Sequence, residues 1–444
     1  MYTIEKANGF DFDTVVCGGG PAGLGPLVAA AARGQIQRVL DLGVLVVEQS
    51  ARLGGGAIGG YRLRGNSLAG AFLESLASGA DAGFFDALRG ARPTRALRDI
   101  AGTPPPLSLV GEYLTALGGA IEGALDASAA SAAAPRTRVA YVRLLPAGGV
   151  GVGVEPAGRP AHEVTARRAL LTLGGRPPAR MLQTEISPGL SLRGYAGKVV
   201  HSSAIVEGRH EGAAACLRSD RDLRVAVIGG AHSAWSAAWS LTRRATGRPT
   251  VQVLHRRPTR LFYMSVEEAR EDGYDFDPGA DVCPLSGRVH RFSGLRGDAR
   301  DLAREVLGHA APGRQADTVS CLSLLAGEEV GAALERADLV VSATGYDARL
   351  PELLTAGGEP LHLLRREVGL AVSAEAEVLD ADGRPIPELL AYGLGAGLAP
   401  SVTVGGEPSA STRADGVWLY HHDVGGVVLD RILQRDAEGL ADVR

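Results

Sequence analysis

The 444-residue sequence predicts an α/β fold built from two Rossmann-like, three-layer nucleotide-binding domains, the second inserted within the first. A strand, glycine turn and helix occupy residues 13–33, and a second unit of this kind occupies 223–241. An apolar strand at 338–346 follows the second unit, and a strand with a glycine turn at 387–400 leads to a helix over 418–433. The final strand, glycine turn and helix are assigned to the first domain although they follow the second unit in the chain. This order indicates that the second domain is inserted within the first.

The first glycine turn has the spacing G-x-G-x-x-G directly after an apolar strand. The first glycine allows a tight turn, the second lets the backbone approach a pyrophosphate, and the third lets the helix pack on the strand. The strand at 44–47 ends in Glu48, whose carboxylate is placed to accept hydrogen bonds from ribose hydroxyls. A glycine turn without a ligand is the alternative, which the strand–turn–helix context disfavours. The residues predicted to bind this dinucleotide are Gly18, Gly20, Pro21, Ala22, Gly23 and Glu48.

The second unit departs from the glycine spacing and differs in its charges. One glycine and two alanines occupy the three glycine positions within 229–234. The strand at 251–254 is followed by two arginines, where the first unit has an acid. Guanidinium groups bind phosphate bidentately, so this site suits a 2′-phosphate; ordinary solvated charges are the alternative. A serine in the first helical turn is placed to donate to a pyrophosphate, although helix N-termini favour serine in any case. The residues predicted here are Gly229, Gly230, Ser233, Arg256 and Arg257.

Between the two turns, the segment 68–135 is predicted to be mostly helical, and 138–173 to form short strands. The Ala/Ser tract at 127–134 is typical of a surface linker.

The composition is that of an ordinary globular enzyme, with 45% apolar and 22% charged residues. A net charge of −4 and the absence of a basic run argue against nucleic acid as a partner. The four cysteines form no C-x-x-C or C-x4-C motif, which argues against a redox-active disulfide or zinc site and favours a reducing, cytoplasmic compartment. The uncharged run at 14–32 contains five glycines and the nucleotide motif, so a membrane span is rejected. A homo-oligomer stays open.

Four motifs carry a resemblance to a known superfamily. Residues 343–346 read A-T-G-Y, and L-T-L-G-G at 171–175 is similar to a shorter first copy of that signature. The run 195–201, Y-x-G-x-x-x-H, is similar to a fingerprint that begins with Phe and ends with an aromatic where this chain has Ile205. Asn66 follows the first unit, where flavin-containing monooxygenases place an asparagine beside the flavin. The chain therefore resembles the two-dinucleotide-binding flavoproteins, and among them the class B flavin monooxygenases.

This resemblance implies an FAD-binding domain over 1–212, including the helical segment 68–135, and over 350–444. It implies an NADPH-binding domain over 213–349. NADPH would reduce FAD, and reduced FAD with O₂ would give a C4a-hydroperoxide that oxygenates a soft nucleophile. The expected activity is N-hydroxylation of a small amine or related heteroatom substrate, in specialised metabolism. The alternatives are an NADPH-dependent flavin or electron-transfer reductase without oxygenation, and a non-catalytic, FAD-binding redox sensor.

The resemblance also implies site residues between the two turns. Asn66 and His201 are the catalytic candidates, with a turn-forming asparagine and a structural histidine as the alternatives. The adjacent histidines at 421 and 422 point about 100° apart on a helix and are interpreted as structural, so no metal site is predicted. The further cofactor-binding residues are Gly174, Thr344, Gly345 and Gly395.

Overall fold

The computed structural model describes residues 9–77, 79–81, 83–208, 222–311, 313, 316–366, 369–401, 403–411 and 413–439. Cys17, Cys283 and Cys321 carry free thiols, and Cys216 lies outside the described residues. None of the described helices is both long and apolar enough to cross a membrane.

The strands of the described chain are β1 (Phe12–Cys17), β2 (Val44–Val47), β3 (Ala132–Ala134), β4 (Thr137–Leu144), β5 (Val150–Pro156), β6 (His162–Leu171), β7 (Gly175–Arg176), β8 (Glu185–Ser187), β9 (Leu190–Ser191), β10 (Val199–His201), β11 (Arg224–Ile228), β12 (Thr250–His255), β13 (Val319–Ser323), β14 (Leu339–Ser342), β15 (Asp347–Ala348), β16 (Glu352–Leu354), β17 (Glu377–Leu379) and β18 (Pro385–Ala391). The α-helices are α1 (Gly25–Ala32), α2 (Ile36–Leu42), α3 (Asp86–Arg89), α4 (Arg92–Asp99), α5 (Leu107–Ala127), α6 (Ser202–Glu207), α7 (His232–Arg244), α8 (Val266–Glu271), α9 (Gly297–Val306), α10 (Glu328–Arg336), α11 (Val417–His421) and α12 (Asp423–Gly439). Short 3₁₀ helices lie at Ile58–Gly60, Ala69–Ala77, Gly79–Asp81, Leu192–Lys198, Ala316–Thr318 and Leu324–Ala326.

The larger sheet has nine strands in the described chain, in the order β16-β4-β5-β6-β1-β2-β3, with β18 joining β6 and β17 joining β18. Strand β1 lies between β2 and β6 in parallel register, with Val16 opposite Val46 and Leu170. The first half of β6 pairs antiparallel with β5, and its last residues pair parallel with β18. All four residues of β2 are buried, as expected for a valine-rich parallel strand covered on both faces.

The smaller sheet has five strands in the described chain, all parallel, in the order β10-β14-β11-β12-β13. Strand β11 lies between β14 and β12, so the chain winds to both sides from it. A crevice at the carboxyl end of β11 follows from this arrangement, because the connections there leave in opposite directions. The second glycine turn, which directly follows β11, lies at this crevice.

The two sheets confirm the predicted α/β fold with one nucleotide-binding unit inserted in the other. The larger sheet takes its strands from 12–171 and 352–391, and the smaller sheet takes all of its strands from 199–342. The exact domain boundaries stay a prediction, and β10 joins the smaller sheet although it precedes residue 213.

The prediction of a surface linker at 127–134 is wrong. Its last three residues form β3, which pairs with β2 at the edge of the larger sheet. The buried Ser131 hydroxyl donates to the carbonyl of Leu40 at 2.7 Å and accepts from the N–H of Val44 at 2.8 Å. Small side chains allow this close approach, and the serine satisfies backbone groups that the edge would otherwise leave unpaired.

The segment 68–135 is mostly helical as predicted, from Ala69 to the end of α5 at Ala127. The stretch Ala69–Ala77 is a 3₁₀ helix, and the short α3 and α4 follow it before the long α5. Helix α1 is buried from Gly25 to Ala31, and it packs against α12 and α2. In α7, Trp235 is buried and donates to the hydroxyl of Thr259 at 3.1 Å.

Candidate cofactor and active site

The first glycine turn needs its glycines for two different reasons. Gly18 has φ +103°, and a side chain there would begin 2.6 Å from the carbonyl oxygen of Thr172. A side chain at Gly23 would begin 1.8 Å from the carbonyl oxygen of Gly18, so the helix packs against the strand end. At Gly20 the nearest atom would be the Cα of Gly56 at 3.8 Å. Neighbouring backbone therefore crowds the first and third glycines, whereas the middle glycine has room for a Cβ in ordinary contact with Gly56.

The carboxylate of Glu48 is held against the first turn. It accepts from the N–H of Gly19 at 2.9 Å and from the N–H of Ser50 at 2.7 Å. These bonds fix its direction, and a carboxylate has about four lone-pair positions, so it retains the capacity to accept from a ribose. The predicted proximity of the acid and the glycine turn is therefore present.

The C-terminal part of the chain packs onto the same turn. The buried Tyr392 follows β18 and donates its hydroxyl to the carbonyl oxygen of Ala22. Gly395 has φ +87°, and a side chain there would begin 2.3 Å from the N–H nitrogen of Ala348, so this glycine meets a close backbone. Sequence reasoning missed Tyr392, although an aromatic residue at the carboxyl end of a strand beside β6 was the available signal.

The second glycine turn has the same construction. Gly229 has φ +134°, and a side chain there would begin 2.6 Å from the carbonyl oxygen of Ala343. Gly230 lies against the side chain of His255, and Ser233 is half-buried in the first turn of α7. The turn therefore lies between the carboxyl ends of β12 and β14.

The two predicted phosphate-binding arginines are exposed after β12. Arg257 donates from Nη1 to the hydroxyl of Ser411 at 2.6 Å, which joins the smaller sheet to the C-terminal segment. Arg256 lies beside it at the same strand end. Both arginines therefore follow the carboxyl end of β12, the strand end that lies beside the second glycine turn.

The A-T-G-Y signature follows β14 and is held by His201. Gly345 has φ +102° and open space around it, and Thr344 is exposed with its hydroxyl 3.2 Å from that of Ser342. The Nε2 of His201 lies 3.2 Å from the carbonyl oxygen of Gly345, and its ring meets the Tyr346 ring edge-on at 4.7 Å.

The geometry fixes the protonation state of His201. Its Nδ1 accepts from the N–H of Ser203 at 3.2 Å, so Nε2 carries the proton and donates to Gly345. Burial lowers the pKa of His201 below its usual value, against the smaller effect of the Gly345 carbonyl. A neutral imidazole of this kind is a positioning group, because both of its nitrogens are already engaged.

Asn66 lies in a small cleft between the two units. The cleft also contains His232, Trp239 and Asp298 of the second unit. Arg64 pairs with Asp298 at 2.8 Å, which fixes the loop of the first unit on α9. The Nε2 of His232 is buried and has no hydrogen-bond partner among the described residues. The described contacts do not join Asn66 to His201, so the two catalytic candidates lie at different places along the boundary between the two units.

Sequence reasoning found Tyr346 only as part of the signature and missed Tyr61 and Glu207, which lie near it. Burial raises the pKa of Tyr346, and the neighbouring Tyr61 and the carboxylate of Glu207 raise it further. Burial also raises the pKa of Tyr61, with Glu207 again adding to it. Two neutral phenols and one carboxylate therefore converge where the first unit, α6 and the end of β14 meet. Their separation in sequence leaves no local signal.

The two histidines near the C-terminus have structural contacts. His421 is buried, and burial lowers its pKa to about 3. His422 bonds the carbonyl oxygen of Trp418 at 2.8 Å and stacks on its ring. Within the described ranges, no three His, Cys, Asp or Glu side chains are arranged to hold a metal ion.

Two glycine turns, each after a strand of its own sheet, together with the signature held by His201, define the class of α/β proteins with two dinucleotide-binding units. The chain belongs to the class B flavin-dependent monooxygenases and is a flavin-dependent hydroxylase. It is 42% identical over 441 residues to the CMP-5′-(3-aminopropyl)phosphonate hydroxylase of Streptomyces rubellomurinus, covering 96% of this chain and 98% of that relative. No family model matches the chain.

Solved structures share the fold at low identity. The ornithine N-hydroxylase of Kutzneria sp. 744 is 19% identical with a TM-score of 0.53, covering 96% of this chain and 99% of its own. The L-lysine 6-monooxygenase of Pseudomonas syringae is 15% identical with a TM-score of 0.55, covering 95% and 99%. The ornithine hydroxylase of Pseudomonas aeruginosa is 16% identical with a TM-score of 0.54 over the same shares.

Proposed function

We propose that this enzyme uses FAD and NADPH to N-hydroxylate the primary amine of a small aminoalkylphosphonate carried on a cytidine nucleotide. The observation that carries the proposal is the 42% identity, over almost the full length of both chains, to a hydroxylase of CMP-5′-(3-aminopropyl)phosphonate. The proposal includes a cytoplasmic location, in keeping with the isolated thiols, and a role in specialised metabolism. Whether the working form is a homo-oligomer is a matter for size-exclusion chromatography.

FAD is assigned to the first turn in this proposal. The absence of a side chain at Gly20 lets a pyrophosphate approach the backbone of the turn, and the amino end of α1 favours its negative charge. The carboxylate of Glu48 binds the ribose hydroxyls. Pro21, Ala22 and Tyr392 hold the turn in place, since the phenol bonds the turn's own carbonyl.

NADPH is assigned to the second turn, where Gly229, Gly230 and Ser233 meet its pyrophosphate. Arg256 and Arg257 bind the 2′-phosphate, which is absent from NADH. Gly174, Thr344, Gly345 and Gly395 complete the region between the two turns, where positive φ and open space support a ligand at Gly174 and Gly345 in particular. When bound, FAD supplies the hydride acceptor and the activation of O₂, chemistry that no side chain here provides.

The chain's own residues orient the amine and exclude water. Tyr61 and Tyr346 form a half-buried phenolic wall, and His201 fixes the backbone that carries Tyr346. An amine attacks oxygen with its lone pair and must therefore be unprotonated. Glu207 is placed to accept a hydrogen bond from the substrate ammonium and to take one of its protons. Asn66 supplies an amide on the other side of the loop.

The test uses the purified yellow protein with its flavin bound. It is reduced anaerobically with NADPH or NADH and then mixed with O₂ and CMP-5′-(3-aminopropyl)phosphonate. We expect faster reduction by NADPH and a product heavier by one oxygen, in nearly equal amount to the NADPH consumed. Oxidation of NADPH that delivers all of its electrons to H₂O₂ would support the reductase alternative instead. Equal use of NADH would contradict the role of the two arginines.

A further inference from the structure

Two arginine side chains converge beside the end of α6. A side chain at Gly208 would begin 2.7 Å from Nη2 of Arg244 and 3.5 Å from Nη1 of Arg62. Arg62 lies in the glycine-rich loop of the first unit, and Arg244 is the last residue of α7 in the second. The backbone N–H of Arg62 donates to the carbonyl of Val206 at 2.9 Å, which fixes the loop on α6. This hydrogen bond places the backbone of Arg62 beside the end of α6, within side-chain reach of Arg244.

These two positive charges are uncompensated in the described chain. No carboxylate of the described residues lies within the 4.0 Å ion-pair distance of either guanidinium. Among the described residues, the one hydrogen-bond acceptor of Arg244 is the carbonyl oxygen of Ile205, 3.4 Å from Nη1. Burial lowers the pKa of Arg244, and the charge of Arg62 lowers it further. Two guanidinium groups repel each other, so an anion that bridges them makes their approach favourable.

The position of this pair separates it from the nucleotide turn. Helix α7 has 13 residues and begins at the second glycine turn, whereas Arg244 ends it. A helix of that length spans about 20 Å, so the pair lies far from the pyrophosphate site of that turn. Arg62 directly follows Tyr61, which interacts with Tyr346 and Glu207. The arginines thus adjoin the phenolic wall assigned above to the amine.

We propose that Arg62 and Arg244 together form a subsite for the phosphoryl groups of the substrate. The proposal deepens, and rests on, the proposed hydroxylation of a nucleotide-linked aminophosphonate. Guanidinium groups on opposite units match a P–O–P linkage, which presents two anionic phosphorus centres. Occupation of the subsite also draws the two units together around the amine, because each unit supplies one arginine. An amine without phosphoryl groups gains nothing from it.

The experiment measures equilibrium binding and turnover on the flavin-loaded protein. Wild type, Arg62→Ala and Arg244→Ala are titrated with CMP-5′-(3-aminopropyl)phosphonate and, separately, with CMP. Arg243→Ala is the matched control, because it removes a neighbouring exposed arginine of the same helix that lies over the Trp239 ring. We expect Kd and KM for the phosphonate to rise about 10- to 100-fold in the two test variants. We expect changes of less than about threefold in kcat, in FAD content and in the control variant.

Arg62→Lys and Arg244→Lys guard against a folding defect, since they keep the charge and should recover part of the binding. Unchanged Kd in both alanine variants, or wild type that fails to bind the phosphonate, overturns the subsite. Arginine-dependent binding without a hydroxylated product overturns the proposed function and leaves the subsite standing. A hydroxylated product formed with the same KM in all variants overturns the subsite and leaves the proposed function standing.

Discussion

The imidazole Nε2 of His201 donates to the carbonyl oxygen of Gly345 across 3.2 Å, although 144 residues separate them in the chain. Their strands explain the contact, because β10 and β14 are parallel neighbours with His201 opposite Ser342. The histidine of the Y-x-G-x-x-x-H run at 195–201 therefore holds the glycine of the A-T-G-Y signature at 343–346. The two motifs therefore form one structural unit.

His201→Ala removes this bond and the ring contact with Tyr346. We expect the rate of flavin reduction by NADPH to fall about 10-fold, because Gly345 loses its fixed position, while the FAD content is unchanged. His201→Gln can still donate to the Gly345 carbonyl and should recover part of the rate. Stopped-flow reduction at saturating NADPH is the measurement. Full activity in the alanine variant would reduce His201 to a packing residue.

Arg257→Ala removes a guanidinium from the predicted 2′-phosphate site. We expect KM for NADPH to rise about 10- to 100-fold and KM for NADH to stay the same, because only NADPH carries the phosphate. Ser411→Ala is the matched control, since it removes the 2.6 Å hydrogen bond to Arg257 but leaves the charge. Steady-state oxidation of each nucleotide measures the effect. A parallel rise for both nucleotides would assign Arg257 to the fold and not to the phosphate.

The sequence could predict features whose physical cause is local. Glycine spacing and the strand ends at Glu48 and Arg257 follow from residues that are near one another in the chain, so both turns were found. Contacts between distant segments had no such signal. Tyr392 and Ala22 are 370 residues apart, and their bond depends on the pairing of β18 with β6. The convergence of Arg62 and Arg244 likewise requires knowing how the inserted unit sits on the first.

The Ala/Ser tract shows a different limit. Low complexity is typical of linkers, and nothing in the residues themselves indicates that 132–134 pair with β2. Serine is common in loops, yet the Ser131 hydroxyl satisfies two backbone groups at the edge of the sheet, at 2.7 and 2.8 Å. Tertiary pairing overrides local propensity in such a strand.

Asn66→Ala tests the cleft between the units. We expect FAD content and flavin reduction to be unchanged and the product formed per NADPH to fall about fivefold or more, because a polar contact for the oxygenation step is lost. Hydrogen peroxide should rise by the matching amount. Ser67→Ala, the neighbouring residue, is the control and should couple as wild type does. Oxygen-electrode and product assays run together decide the matter, and equal coupling in both variants would make Asn66 a turn residue.

Glu407 anchors the C-terminal loop onto the second unit. The fully buried carboxylate accepts from the N–H groups of Phe292 at 3.0 Å and Ser293 at 2.9 Å, and from the Ser293 hydroxyl at 2.6 Å. Glu407→Ala leaves these donors unpaired, so we expect the free energy of unfolding to fall by about 2–5 kcal/mol. Glu407→Gln keeps one acceptor and should lose less.

The control for this stability measurement is Glu375→Ala, which removes an exposed carboxylate. Its effect should stay within about 0.5 kcal/mol in urea denaturation of the flavin-bound protein. An equally small loss in Glu407→Ala would show that the loop is held by other contacts.

His421 makes the stability depend on pH in a direction that its burial fixes. Burial lowers its pKa in the folded protein to about 3, whereas an unfolded histidine titrates near 6.5. Below pH about 6.5 the unfolded state therefore binds a proton that the folded state refuses, and the free energy of unfolding falls by about 1.4 kcal/mol per pH unit from this residue. The loss continues until the pH approaches 3. Above pH 6.5 both states are neutral and the dependence disappears.

Urea denaturation at pH 7.5, 5.5 and 4.5 measures this pH dependence. His421→Gln should lower the slope of the unfolding free energy against pH by about one proton, whereas His162→Gln, at an exposed position, should not. An unchanged slope in His421→Gln would mean that the buried imidazole is protonated in the folded protein.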